Sequence, residues 1–562
     1  MRHPHHRVSH ATGHAIRSTV IVSAPRRHPR PNDPCEVPVS IDDRDVPPPP
    51  FSPAPGQPAD ASDPRAVAPD LAHDATTPPT PSGTSARLYN RDLAPSKREG
   101  RTWSAYSIFT LWANDVHSLG NYAFAIGLFA LGLGGWQVLT ALGAGAVLLF
   151  ALLTLSGFIG EKVGVPFPVM SRISFGVHGA QIPALIRGIV AIAWFGIQTY
   201  LASIVLNVLL VAVFPGVAGL DEIEFLGLSV LGWITFVALW IVQVLIVSYG
   251  MEMIRRYEAF AGPIILVTFV ALAVWMLWRA DFDIAWSTPD SLTGWPMWSK
   301  ILGGGMLWVS IYATFLLNFS DFTRGAKSRA SIVQGNLWGI PINMLLFGAV
   351  VVILAGAQFK IDGTIIESPA DIVAAIPNTL LLALASLALV VLTIAVNLMA
   401  NFVAPTYALM NLFPKRLDFR RAAIVSAVIG LVILPWNLYD SPVVINYFLG
   451  GLGALLGPLF GIIMADYWLV RRARINVPDL YSEAASGDYH YRDGVNPRAV
   501  VALTVSGVVA LLCVFVPVLH PLTDFAWLIG AGLGAVITLL IANHKHPFTD
   551  RDGETIAIAV VH

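Results

Sequence analysis

A chain of 562 residues that is 55% hydrophobic and only 13% charged carries more apolar surface than a water-soluble domain can bury, which excludes an ordinary soluble enzyme and indicates a polytopic membrane protein. Its formal charge of -1 averages an uneven distribution and gives no sign of a nucleic-acid partner. Two cysteines far apart, Cys35 and Cys513, exclude a disulfide framework and a thiolate metal site.

The first 90 residues hold His-Pro-Arg clusters, a proline run at 47–50 and Pro/Ala/Asp/Thr stretches with no apolar period, so residues 1–90 are expected to be disordered. Residues 19–24 are briefly apolar, but the apolar core and cleavage site of a secretory signal are missing. A transmembrane domain is expected over 91–545 and a short cytoplasmic tail over 546–562.

From Tyr106 onward, apolar windows of about 20 residues, the length that crosses hydrocarbon, recur along the chain. Twelve are predicted, at 106–131, 135–158, 183–213, 226–249, 259–278, 300–319, 334–358, 379–411, 422–438, 444–468, 499–519 and 522–543, giving an all-α polytopic protein. Basic residues crowd alternate connections, at Lys162, Arg172 and Arg187, at Arg255 and Arg256, at Arg324, Lys327 and Arg329, at 415–421, and from Arg471 on. The opposite connections hold only Arg279, Lys300 and Lys360, so the positive-inside bias assigns both termini to the cytoplasm of a cell whose plasma (inner) membrane the chain crosses many times.

Four spans carry unusual polarity. Span 1 includes Asn114, Asp115, His117, Ser118, Gly120 and Asn121, which a lipid-facing helix does not tolerate; the pattern fits a discontinuous helix lining a midplane cavity, or else an interfacial stretch. Asp115 and His117 are the critical residues of this stretch, because ionisable groups inside a membrane are functional by default. Span 3 sets Trp194 and Gln198 four residues apart on one helical face, an aromatic surface beside a carboxamide that is either a ligand platform or an interhelical contact. Span 6 runs through Gly303, Gly304 and Gly305, which permit a break or a close helix approach. Beyond them Asp321 and Arg324 read as a structural ion pair. Span 8 aligns Thr393, Asn397 and Asn401 in a stripe spaced by four that suits either a substrate face or interhelical hydrogen bonding.

These landmarks resemble the nucleobase:cation symporter-1 family, which includes hydantoin, allantoin, cytosine, uracil and purine permeases. The similarity runs from Leu88 to about Ala502 and rests on Asn90-Arg91-Asp92-Leu93-Ala94-Pro95, Trp194-Phe195-Gly196-Ile197-Gln198, Asn318-Phe319-Ser320-Asp321-Phe322-Thr323-Arg324, Asn397-Leu398-Met399-Ala400-Asn401 and Asp466-Tyr467-Trp468 with Arg471-Arg472, Asp479-Leu480-Tyr481 and Gly494-Val495-Asn496. The resemblance implies a leucine-transporter-type fold: two inverted five-helix repeats followed by two C-terminal helices. By position it implies that Trp194 stacks on a substrate ring opposite Tyr312, and that Gln198 and Asn401 bind its polar edge; Asn397 of the span 8 stripe and Asn121 of span 1 are further substrate-binding candidates. Sodium-coupled relatives carry hydroxyl side chains where this chain has Ala395 and Val396, so a proton is the expected coupling ion, with Asp115, His117, Ser118 and Thr393 as coupling residues and sodium as the alternative.

The expected function is therefore secondary import of a nucleobase or related cyclic ureide, namely uracil, cytosine, a purine, allantoin or a hydantoin, by alternating access. Its partners are that heterocycle, a coupling cation and the lipid bilayer. No cofactor, resident metal or nucleic acid is expected, and the sequence carries no signal for oligomeric state. A non-transporting sensor or channel is the rival. An enzyme is not expected, since no nucleophile triad, metal-spaced histidines or phosphate loop is present.

Overall fold

The computed structural model describes residues 81–366, 369–374, 376–439, 450–544 and 547–558; the expected disorder of the N-terminal segment therefore lies, up to residue 80, outside the described residues. The rest is almost wholly helical, as apolar sequence must be where water cannot satisfy the backbone. In chain order the main helices are α1 (Ala105–Val116), α2 (Leu119–Ala130), α3 (Gly135–Val163), α4 (Gln181–Val213), α5 (Val230–Ser248), α6 (Met251–Arg279), α7 (Gly294–Ile311) and α8 (Ala313–Asn318). They are followed by α9 (Arg329–Asp362), α10 (Thr379–Leu412), α11 (Phe419–Val432), α12 (Gly453–Val470), α13 (Pro497–Phe515) and α14 (Pro517–Ile541). Among the described residues nine of these are long and apolar enough to cross a membrane: α3 to α6, α9, α10 and α12 to α14. The other three predicted windows fall on α1 with α2, on α7 with α8, and on α11, where the helices are interrupted or short.

The interruption in the first window has a local cause. Ser118 is extended, with ψ 151°, and its hydroxyl accepts the Asn121 N–H at 3.3 Å, so it ends one helix and caps the next. In the sixth window the helix runs unbroken through Gly303, Gly304 and Gly305 and ends at Tyr312 instead. Those glycines serve close approach: a Cβ on Gly305 would stand 3.0 Å from the Ala141 carbonyl, and one on Gly145 only 2.8 Å from the Gly305 carbonyl, so α3 and α7 meet backbone to backbone.

Three long helices each contain a π turn, Trp338–Ile342 in α9, around Pro341, Leu398–Phe402 in α10 and Ala465–Val470 closing α12, where one extra residue breaks the 3.6 period. Helix α6 begins at Met251, after Gly250 with φ 82°, rather than at the predicted 259, which brings Glu258 inside it. Arg172 and Arg187, read as loop cations, are fully buried; Arg172 donates to the carbonyls of Leu480 and Leu88 and to Asn411 Oδ1. A small hairpin, β1 (Glu224–Phe225) and β2 (Leu228–Ser229), turning on Leu226 and Gly227 at positive φ, is the sole paired sheet among the described residues and lay outside the all-helical expectation.

Both ends of the described chain pack onto one end of the bundle. Leu88 is buried and the Ser85 N–H reaches Tyr481 O at 2.7 Å, so order begins before residue 91. The tail segment 547–558 forms a strap, with Arg551 bridging Asn476 and Ile558 bridging Ser96, while Lys162 holds Asp550 at 2.9 Å.

Candidate functional site

The two interrupted windows meet α4, α10 and α12 around a cavity of about 390 Å³. Asp115 and Ser118 enter from the α1–α2 break, Gly120 and Asn121 from α2, Val190, Trp194 and Gln198 from α4, Val396, Ala400 and Asn401 from α10, and Gly453 and Leu456 from α12. The other wall is Ser310, Ile311, Ala313, Thr314 and Phe315, the residues flanking the α7–α8 break. Helical spacing explains the α4 wall, since Val190, Trp194 and Gln198 recur every four residues and share one face.

Six of the ten candidate residues line this cavity: Asp115, Ser118, Asn121, Trp194, Gln198 and Asn401. Trp194 and Gln198 are half-buried, and neither the indole N–H nor the carboxamide of Gln198 has a hydrogen-bond partner among the described residues. The Asp115 carboxyl is likewise without an ion pair or hydrogen bond there, although the residue is only 7% exposed. Asn121 does two jobs. Its Nδ2 donates to the carbonyls of Asp115 (2.9 Å) and Val116 (3.2 Å) at the helix break and to Tyr312 Oη at 3.0 Å, while its Oδ1 accepts nothing from the described residues.

Four candidates stand behind the wall. Tyr312 does not form the expected second face of a sandwich: its hydroxyl is tied to Asn121 and its ring packs against Trp112 and Trp308, leaving Phe315, three residues on, as the aromatic side chain from this element in the lining. His117 is fully buried away from the cavity, with Nδ1 accepting from Tyr122 Oη at 2.8 Å, Nε2 donating to Asn343 Oδ1 at 3.2 Å and its ring stacked on Phe269. Asn397 donates to Phe195 O (3.1 Å), Thr199 Oγ1 (3.0 Å) and Gln243 Oε1 (2.7 Å) and accepts from Asn401 Nδ2 (3.0 Å), so it is the hub of a buried network joining α4, α5 and α10. The Thr393 hydroxyl is spent on Leu389 O, one turn back in its own helix.

Below the cavity, the expected Asp321–Arg324 pair is replaced by a different arrangement. Asp321 accepts from the Phe167 N–H (2.6 Å) and Asn318 Nδ2 (2.7 Å), while Arg324 donates to the carbonyls of Ala94 and Asp92. Arg187 reaches the Ala400 carbonyl at 2.6 Å, in the π turn of α10, and Asn318 Oδ1 at 3.4 Å. Sequence reasoning missed Phe315, Ser310 and Thr314 because their exposure depends on where the sixth window breaks. Among the described residues no cluster of three or more His, Cys, Asp or Glu side chains is arranged to hold a metal ion.

Residues 95–530 match the family described as permease for cytosine/purines, uracil, thiamine, allantoin. The chain is 36% identical over 490 residues to the allantoin permease of Bacillus subtilis, covering 85% of this chain and 97% of the relative. It is 36% identical over 429 residues to a purine-uracil permease of Arabidopsis thaliana, covering 76% and 71%. Among solved structures it resembles Mhp1, a nucleobase-cation-symport-1 family transporter, in its inward-facing conformation, with a TM-score of 0.65 at 26% identity over 85% of this chain and all of Mhp1. A sodium-coupled sialic acid symporter, at 12% identity and a TM-score of 0.53, shares the fold alone. With most of its length matched, its cavity at the meeting of broken helices and its helical order in common with Mhp1, the chain belongs to the nucleobase:cation symporter-1 family of cytosine/purine, uracil, thiamine and allantoin permeases.

Proposed function

We propose that the protein is a secondary transporter that moves a nucleobase or related cyclic ureide across the plasma (inner) membrane by alternating access, coupled to a proton. One observation carries the reading: the cavity of about 390 Å³ presents an indole, a phenyl ring and the uncommitted polar groups of Gln198, Asn121, Asn401 and Asp115. A flat ring with donors and acceptors along its rim matches that set, because aromatic faces take its π surface and a carboxamide offers both a donor and an acceptor. In this reading Trp194 and Phe315 hold the ring, and Gln198, Asn401 and Asn121 read its edge. Asp115 takes the proton.

The two interrupted windows and α11 add three crossings to the nine long helices, giving twelve with both termini cytoplasmic. The donor set favours a proton over sodium. A hard cation wants six or so oxygens, whereas Ala395 and Val396 offer no side-chain oxygen. No step forms or breaks a covalent bond in the substrate.

Uptake of labelled uracil, allantoin and hydantoin into cells, with and without a protonophore, tests the proposal. Concentrative uptake of at least one compound that the protonophore abolishes is expected, and it is to be lost in Trp194→Ala and Gln198→Ala at normal membrane insertion. Uptake of none, or accumulation that tracks a sodium gradient at constant pH, refutes it.

A further inference from the structure

Glu258 lies on α6 where that helix packs against α1, is 1% exposed, and is used by nothing in the cavity. Asn114 of α1 donates through Nδ2 to the Glu258 carboxyl and, at 3.0 Å, to its backbone carbonyl. Two acceptors remain stranded in the same place: Glu258 Oε1 and Asn114 Oδ1 are both buried with no hydrogen-bond partner. Two orphan acceptors on contacting residues lack one donor, and a buried carboxylate without a cation carries the further cost of an uncompensated charge.

Among the described residues no cation supplies the compensation. Arg255 and Arg256, on the preceding turn of α6, are engaged by Glu252. Of the other helices packed on α6, α5 and α10 contain no Asp, Glu, His, Lys or Arg. The ionic residues of α9 sit at its ends, where Arg329 pairs with Glu161 and Lys360 with Asp283, leaving Asp362. The remaining titratable neighbours are Asp115, the next residue of α1, Tyr106 of α1, whose hydroxyl donates to Ala259 O, His117 just past α1, whose ring stacks on Phe269, and Tyr257, whose hydroxyl donates to Val391 O.

We propose that the Glu258–Asn114 contact is a proton-binding site, resting on the transport reading above and assigning its coupling proton a second station behind Asp115. A protonated carboxyl facing a carboxamide makes one N–H···O and one O–H···O bond, which satisfies both stranded acceptors and locks α1 to α6. When α1 and α6 part, water enters, the proton leaves Glu258 for that water, and the carboxylate is solvated. Asp115 sits one residue from Asn114 and lines the cavity, so substrate occupancy and the state of this seam bear on the same short stretch of α1.

The test uses proteoliposomes of the full chain, with Glu258→Gln as a permanently neutral mimic and Glu258→Asp as the conservative variant. At one proton per substrate, a one-unit pH difference sustains roughly tenfold accumulation. The expected result is that Glu258→Gln retains counterflow exchange of the labelled compound but accumulates none of it under the pH gradient, with Glu258→Asp retaining part. Infrared spectra of the purified protein should show the C=O stretch of a protonated carboxylic acid that Glu258→Gln removes. Gradient-driven accumulation in Glu258→Gln, or wild-type spectra in which Glu258→Gln removes no such band, overturns the proposal. Wild-type protein that exchanges no compound overturns the transport reading instead, and the infrared band then decides the proton site by itself.

Discussion

Gln198 and Asn397 are both amides in the interior of apolar helices, and the structure separates their roles so sharply that replacing each by leucine should give opposite signatures. Gln198 has no hydrogen-bond partner among the described residues and faces the cavity, so Gln198→Leu removes nothing the fold relies on; its effect on unfolding should stay within about 0.5 kcal/mol. Substrate affinity should fall by roughly 10- to 100-fold, the equivalent of one or two hydrogen bonds in a dry pocket at about 1–3 kcal/mol. Asn397→Leu strands Gln243 Oε1 and the Asn401 amide at once, having removed four hydrogen bonds of 2.7 to 3.1 Å. Interhelical hydrogen bonds in membranes average about 0.6 kcal/mol each, so a loss of about 2 kcal/mol is expected, with affinity touched only through the reorientation of Asn401. Thermal unfolding of the purified proteins, followed by tryptophan fluorescence, together with calorimetric titration of the transported compound, measures both quantities. If Gln198→Leu destabilises more than Asn397→Leu, or if Asn397→Leu weakens binding as much as Gln198→Leu at unchanged stability, the division between lining and scaffold is wrong.

Phe315→Ala should cut substrate affinity by about tenfold, the worth of one aromatic stack, whereas Tyr312→Phe should leave the stack intact and instead loosen Asn121, a difference that competition binding resolves. Gly305→Val forces a side chain between α7 and the Ala141 carbonyl and should cost about 1–3 kcal/mol, read as a lower unfolding temperature. Arg471→Met leaves Asp466 buried with its 3.0 Å ion pair gone and should cost about 3–5 kcal/mol in the same assay. At Asp550 partial burial pushes the carboxyl up, but hydrogen bonds from Lys162 and the Ile475 N–H outweigh it and hold it below the ordinary aspartate value. A depressed folded-state value gives stability that is present above the unfolded value near pH ~3.9 and lost as pH falls through the folded one. Hydrogen-exchange protection factors in residues 547–558, corrected for the intrinsic pH dependence of exchange, should therefore fall at that acidic edge and stay flat from neutral pH down to about 5.

Much of the architecture was legible in the residues because apolar length is dictated by the bilayer, and the polar run with Ser118 announced the first break by itself. The second break stayed open: three glycines permit either a kink or contact, and the choice was made by α3, whose Gly145 and Ala141 lie against them, information no local window contains. Equal spacing made Asn397 and Asn401 look alike. The π turn over Leu398–Phe402 upsets that period, leaving Asn401 in the lining and Asn397 inside the network of Thr199 and Gln243. Glu258 escaped notice because Arg255 and Arg256 beside it read as loop, whereas both lie in α6 and pair with Glu252 of its first turn. Trp194 and Gln198 were the plainest case, since a single uninterrupted helix presents them.

The strap that joins Ile558 to Ser96 and Arg551 to Asn476 has a bearing on how the molecule is made. The backbone groups of Pro95 and Lys97 find their partners at Ile558, in a stretch synthesised about half a minute to a minute and a half after them at ribosomal speeds of roughly 5–20 residues per second. Until then the edge at Pro95–Lys97 stays open to solvent and to chaperones, and that face closes long after the residues that form its first half have left the ribosome.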